Sequence, residues 1–173
     1  MADRVDLSYE CAARSSCVRG DDMLGELPAR EIERLLETEL VARIGCHVGG
    51  RTYVVPVSYV YFDGALIGHC ATGLKLDMLR KNPQVCIEVD QIDDLTNWRS
   101  VIAWGWFEEL DGDEAESALN LLMARLMPFA ASGTSAPAQR LTSMTDGSAI
   151  AGRSSVVYRI RLAEKTGRFE RTP

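Results

Sequence analysis

The run from residue 40 to residue 71, LVARIGCHV-GG-RTYVVPVSYVYF-DG-ALIGHCA, limits the possible folds more than any other part of the chain. Three segments rich in β-branched and aromatic residues are separated by Gly49-Gly50 and Asp63-Gly64. Two-residue Gly-Gly and Asp-Gly links are strong hairpin signals, because both positions of the favoured turn need positive φ. Three strands in a row with such turns predict an antiparallel meander. Both faces of residues 51–62 are largely apolar, as expected of a barrel wall with something packed outside it. Pro56 cannot donate to a strand ladder, so it marks an edge or a bulge.

The remaining pattern surrounds these strands with a few helices. Residues 1–26 are polar without a period and read as an N-terminal arm. LPAREIERLLETE reads as a helix with Pro28 at its first position, an apolar stripe of Ile32, Leu35 and Leu36, and Glu31, Arg34 and Glu37 in water. A short helix is expected at about 73–82, with Leu76 and Leu79 inward and Asn82-Pro83 as its stop. QVCIEVDQ and the long aromatic WRSVIAWGWFEEL are the fourth and fifth strands. Asp111 to Met127 is an amphipathic helix burying Ala115, Ala118, Leu119, Leu122 and Leu126, ended by Pro128. RSSVVYRIRLAEKTGRF is the last strand. Residues 129–152 are small and polar and read as a long loop or lid. The sum is a mainly β domain over residues 27–168, a barrel of about six strands with attached helices, followed by a tail at 169–173.

Bulk properties narrow the function. The 173 residues carry a net charge of −6, which argues against a nucleic-acid or anionic-membrane binder. No apolar run reaches the ~18 residues of a membrane span, and the start lacks the apolar core of a secretory signal. The five cysteines (Cys11, Cys17, Cys46, Cys70 and Cys86) include no CxxC pair and fit reduced thiols in a cytoplasmic protein.

HCATGLKLDMLRKNP, residues 69–83, points to chemistry. An apolar strand breaks at Thr72-Gly73 and opens into a helix with Lys75 in its first turn. With Thr72 as N-cap, Lys75 is the third helical residue, where a cation opposes the helix dipole. An anion held between Lys75 and the free N–H groups resolves that conflict; an exposed Lys at an ordinary helix start is the alternative. Arg99 and Ser100 open a strand and so face opposite sides. Arg99 offers a planar fork for phosphate oxygens, or pairs with Asp90, Asp93 or Asp94. Trp104 and Trp106 share a face and are expected to pack in the core, with stacking on a bound ring or filling a dimer interface as the alternatives. Cys46-His47 and His69-Cys70 each split across a strand, so they do not make a closed zinc site. No nucleophile elbow, HExxH or Walker loop is present, as in enzymes whose chemistry is carried by a cofactor.

The order helix, hairpin, GHCATGLKLDMLRKNPQVCIEVD, RSVIAWGWFEEL and closing TGRFER resembles the pyridoxamine 5′-phosphate oxidase-like flavin-binding split barrels. Within them it is most similar to the branch containing the nitroimidazole-resistance proteins. The resemblance implies a six-stranded antiparallel split barrel that binds FMN as a homodimer. It places Val55, Pro56, Val57, Ser58 and Tyr59 along the flavin ring, and His69, Cys70, Ala71, Thr72 and Lys75 past ribityl and phosphate. Arg99 and Ser100 would close the phosphate pocket. His69 is the expected catalytic residue, as proton donor, flavin hydrogen bonder or haem ligand, against a structural histidine. The implied activity is reduction of a nitro-aromatic or similar small acceptor with NAD(P)H. A haem- or deazaflavin-binding relative and a flavin-binding module without catalysis are the alternatives. The basic substrate motif of true pyridoxamine 5′-phosphate oxidase is not found near the C-terminus.

Overall fold

The computed structural model describes residues 23–129 and 155–172. Its strands are β1 Leu24–Glu26, β2 Val41–Val48, β3 Arg51–Ser58, β4 Val60–Phe62, β5 Ala65–Ala71, β6 Gln84–Asp94, β7 Asn97–Glu109 and β8 Ser155–Glu170. The helices are α1 Ala29–Thr38, α2 Leu74–Lys81 and α3 Gly112–Leu126. The strands form one antiparallel sheet in the order β3-β2-β6-β7-β8-β5-β4, with β1 added on β8. The six strands expected from the sequence are present, the second of them divided into β3 and the three-residue β4, and the three-residue β1 joins them. The sheet thus takes in the end of the expected arm and runs on to Glu170. Residues 130–152 of the expected loop or lid lie outside the described residues, as do Cys11 and Cys17. No helix among the described residues is long and apolar enough to cross a membrane.

Both two-residue turns form as their composition demands. Gly49 and Gly50 have φ of 58° and 77°, and Asp63 and Gly64 have φ of 49° and 73°.

The expected three-strand meander is broken at Tyr59. Residues 51–62 are continuous in pattern, but β3 pairs with β2 whereas β4 pairs with β5. The Tyr59 backbone N–H leaves the ladder and donates to the Leu40 carbonyl at 3.2 Å. Its side chain, 1% exposed, runs under α1, where Oη donates to the Leu36 carbonyl at 2.9 Å. That carbonyl is one of the last four of α1, which have no partner within the helix. Tyr59 therefore closes a helix end and switches the chain between the two edges of the sheet. Tyr59→Phe removes the donor and strands a buried carbonyl. It is expected to cost about 1–2 kcal/mol, read as a lower urea midpoint at unchanged slope.

The inner faces of the strands make one core. Ala42, Ile44 and Cys46 of β2 meet Val85, Ile87 and Val89 of β6, Val101 and Ala103 of β7, and Tyr158 and Ile160 of β8. α1 closes one end with Ile32, Leu35 and Leu36. Pro28 is its N-cap, with the helix starting one residue later than expected, and the Leu27 N–H donates to Gly167 at 3.0 Å. α2 closes the other end with Leu76, Met78 and Leu79; the Asn82 amide beyond it donates to the His47 carbonyl at 2.8 Å. α3 lies on the outer side of β5 and β8, where Ala118 meets Ile67 and Val157. Its Ala115 and Leu119 are only half-buried, because they flank that contact.

Candidate functional site

The end of the barrel closed by α2 holds the unusual electrostatics. Along β5, Leu66 and Cys70 face the core, while Ile67 faces α3. Alternation puts His69 on the Ile67 side, half-buried beside its cross-strand partner Val157. The chain then leaves the sheet. Gly73, not Thr72, is the N-cap of α2, in an extended conformation, so Lys75 is the second helical residue. No side chain caps this first turn, and a Cβ added at Gly73 would meet nothing within 4 Å. The start of α2 is thus uncapped and uncrowded at Gly73. The far end of α2 is tied down by Arg80, whose Nε and Nη2 donate to the two Glu109 carboxylate oxygens at 2.6 and 2.9 Å.

Lys75 does not extend into water. Its Nζ lies 5.6 Å from the centre of the Tyr158 ring, at the mouth of the barrel. No carboxylate among the described residues pairs with it. Its electrostatic neighbours are Cys70 and Cys46, whose thiols burial pushes up, so they stay protonated and supply no counter-charge. Burial likewise raises the Tyr158 hydroxyl. Lys75 is thus a half-buried cation among neutral groups, and burial lowers its pKa from the ordinary value of 10.5. Tyr158 Oη is itself buried without a hydrogen-bond partner among the described residues. It fits where Gly68 has no side chain; a Cβ there would sit 2.6 Å from the oxygen. Nothing local in the sequence marks Tyr158, since the strand pattern only places it on the inner face. Its partnership with Lys75 joins elements more than eighty residues apart.

β3 is an edge strand, as Pro56 indicated, so one side of its backbone is open. Val57 is buried, Val55 packs against the core, and Pro56 and Ser58 face outward. The Tyr59 side chain is committed to α1, so the backbone of this segment and the outward Pro56 and Ser58 are what can border a ligand ring. Cys70 is committed to the core, whereas Ala71 is exposed.

Arg99 and Ser100 stand elsewhere in the chain. Ala71 pairs with Ser155 at the start of β8, whereas Arg99 pairs with Phe169 near its end. A single chain therefore does not bring Arg99 or Ser100 to the start of α2. Arg99 Nε donates to Gln91 Oε1 at 3.0 Å rather than to Asp90, Asp93 or Asp94. Asp90 is taken by Arg43 at 2.6 Å, and Asp94 by Thr96 and Asn97.

Trp104 and Trp106 are 42% and 49% exposed, a correction to the expected core packing. β7 carries its inner face on Val101, Ala103 and Phe107, which leaves the tryptophans outside. Trp104 continues a row of cross-strand partners, Val54, Gly45 and Cys86, over β3, β2 and β6. Val54 is 58% exposed, so nothing among the described residues covers it on the outer face of β3.

Residues 28–169 match the family described as pyridoxamine 5′-phosphate oxidase. An uncharacterized protein of Rhizobium meliloti (strain 1021) is 30% identical over 70 residues, 40% of this chain and 46% of that protein, so the match spans less than half of that relative. The crystal structure of a FAD-binding protein from Mesorhizobium loti aligns with a TM-score of 0.67 at 26% identity, covering 86% of this chain and 99% of that one. A candidate 5-nitroimidazole antibiotic resistance protein from Bacteroides thetaiotaomicron aligns with a TM-score of 0.62 at 19% identity, over 84% and 87% of the two chains. At that identity the likeness speaks for the fold alone.

Proposed function

The chain belongs to the pyridoxamine 5′-phosphate oxidase family, and from that premise we propose that it is an FMN-dependent oxidoreductase acting as a homodimer. The observation that carries this reading is Lys75, a cation without a counter-charge beside the uncapped, open first turn of α2. The residues fit a nucleotide phosphate: the helix N–H groups and Thr72 supply donors, and the flexible lysine stem lets the ammonium leave the Tyr158 ring for an anion. The free edge of β3 from Val55 to Tyr59 and the backbone from His69 to Ala71 supply bordering polar groups for ring and ribityl chain.

Bound there, a flavin would supply the redox chemistry, taking a hydride from NAD(P)H and passing electrons to a nitro-aromatic or similar small acceptor. His69, on the outward side of β5, would hold or deliver a proton at its imidazole. Ser100 would serve the site of a second copy, since within its own chain it lies at the far end of the barrel. The uncovered row of Val54, Cys86 and Trp104, beside Trp106, supports such a copy on this face. Arg99, at the α1 end, drops out of the phosphate seat.

FAD is the second reading, favoured by what the Mesorhizobium loti protein is described as binding. The absorption spectrum of the purified protein, before and after incubation with FMN, tests the proposal. A flavin double band is expected, with bleaching by NADH or NADPH under anaerobic conditions. Mass spectrometry of the acid-released cofactor separates FMN from FAD. A Soret band, or no flavin uptake, overturns the cofactor assignment; flavin that neither donor bleaches overturns the enzyme assignment.

A further inference from the structure

A cleft of about 240 Å³ opens at the α1 end of the barrel, away from α2. Leu27 and Phe169 contribute apolar lining, and Trp98 stands at its side. Arg99 projects into it with Nε fixed by Gln91, and Gln91 Nε2 reaches Asp93 Oδ1 at 3.5 Å. The two terminal amino groups of Arg99 have no partner among the described residues. The guanidinium is thus held in one plane with its outer donors unspent, the arrangement that takes a carboxylate by two parallel bonds. The same cleft is lined by the carboxylates of Glu31 and Asp93. Neither has an ion pair among the described residues, whereas Glu170 accepts the Trp98 indole N–H at 3.0 Å.

From this juxtaposition of a held guanidinium, two unpaired carboxylates and an apolar wall, we infer that the cleft binds a small amino-acid zwitterion with an apolar side chain. Its carboxylate meets Arg99, its ammonium meets Glu31 and Asp93, and its side chain lies on Leu27 and Phe169. Arg171 also lines the cleft, but its guanidinium stands over the Phe169 ring at 5.4 Å, and the two carboxylates weigh against a phosphate dianion there. Arg99 projects from the opposite face of β7 to Ser100, so amino-acid binding in the cleft and flavin uptake are read separately.

Calorimetric titration of the full chain with L-phenylalanine, L-leucine and benzoate tests this, with Trp fluorescence as a second readout through Trp98. Saturable binding of an amino acid at millimolar concentration is expected, with benzoate weaker for want of an ammonium. L-Phenylalaninamide, which lacks the carboxylate, is expected to bind roughly tenfold or more weakly, and Arg99→Gln to lose as much. The inference is overturned if neither amino acid binds saturably, if benzoate binds as tightly as L-phenylalanine, or if Arg99→Gln binds as the parent does. A circular dichroism melt of Arg99→Gln guards against misfolding, and Arg99→Lys, which keeps the charge without the fork, is expected to recover only part of the affinity.

Discussion

Lys75→Ala is expected to purify with little or no flavin while folding as the parent does. The prediction follows from the absence of any other cation at the start of α2 among the described residues. In the proposed seat Lys75 is the one charged group beside the helix N–H groups and Thr72, and the nearby thiols and phenol are held neutral by burial. A charge-assisted contact of this kind contributes about 1.5–3 kcal/mol, so the dissociation constant for FMN should rise roughly 10- to 150-fold. Fluorescence titration of the apoprotein measures it. An unchanged constant in Lys75→Ala would move the phosphate away from α2.

The same residue predicts an opposite effect on the ligand-free protein. The folded-state pKa of Lys75 lies below the ordinary 10.5. Between the two values the unfolded chain keeps the proton and the folded chain releases it, so stability rises with pH across that window. Removing the charge should act in the same direction. Lys75→Met is expected to melt higher than the parent when both are free of flavin, and to lose that advantage when FMN is added, because the parent binds it more tightly and gains more. Paired calorimetric scans with and without FMN show the crossover.

Gly105→Ala carries the largest stability effect expected of any one-carbon change in the sheet. A Cβ at residue 105 would stand 2.3 Å from the carbonyl oxygen of Arg161 and 3.1 Å from Ile160 Cγ2. The first is backbone, which no rotamer can move aside. The register shifts here, with Trp104 opposite Glu164 and Gly105 opposite Leu162, so β8 carries an extra residue and bends over the glycine. Relief requires moving the longest strand against β7. The cost is expected at about 3 kcal/mol, the upper end for overpacking, which for a chain of this size lowers Tm by roughly 6–12 °C. Gly73→Ala, with nothing near its added Cβ, is the control and should melt close to the parent. Comparable melting of the two variants would mean that the bend at residue 105 is wrongly placed.

These residues show how far local pattern reaches. Gly49-Gly50 and Asp63-Gly64 announced their turns, because positive φ is a property of the residue itself. The stripe of Ile32, Leu35 and Leu36 announced the buried side of α1 for a similar reason: helical period and hydrophobicity are both local. The break at Tyr59 was not legible, because a strand reads the same whichever neighbour it pairs with. Trp104 and Trp106 misled for a related reason. Alternation puts them on one face of β7, yet only the closed sheet says which face is inside.

The chain order of turns, periods and charged positions was therefore enough for the mainly β class, the helix positions and the family resemblance, since each depends on residues within one or two turns of one another. Tertiary structure alone decided that Arg99 and Ser100 lie at the barrel end away from Lys75, that Lys75 rests over Tyr158 without a counter-ion, and that Arg99 faces a separate cleft. Those relations depend on strand partners far apart in the chain and on how burial removes water from a charge, and neither is carried by any short stretch of residues.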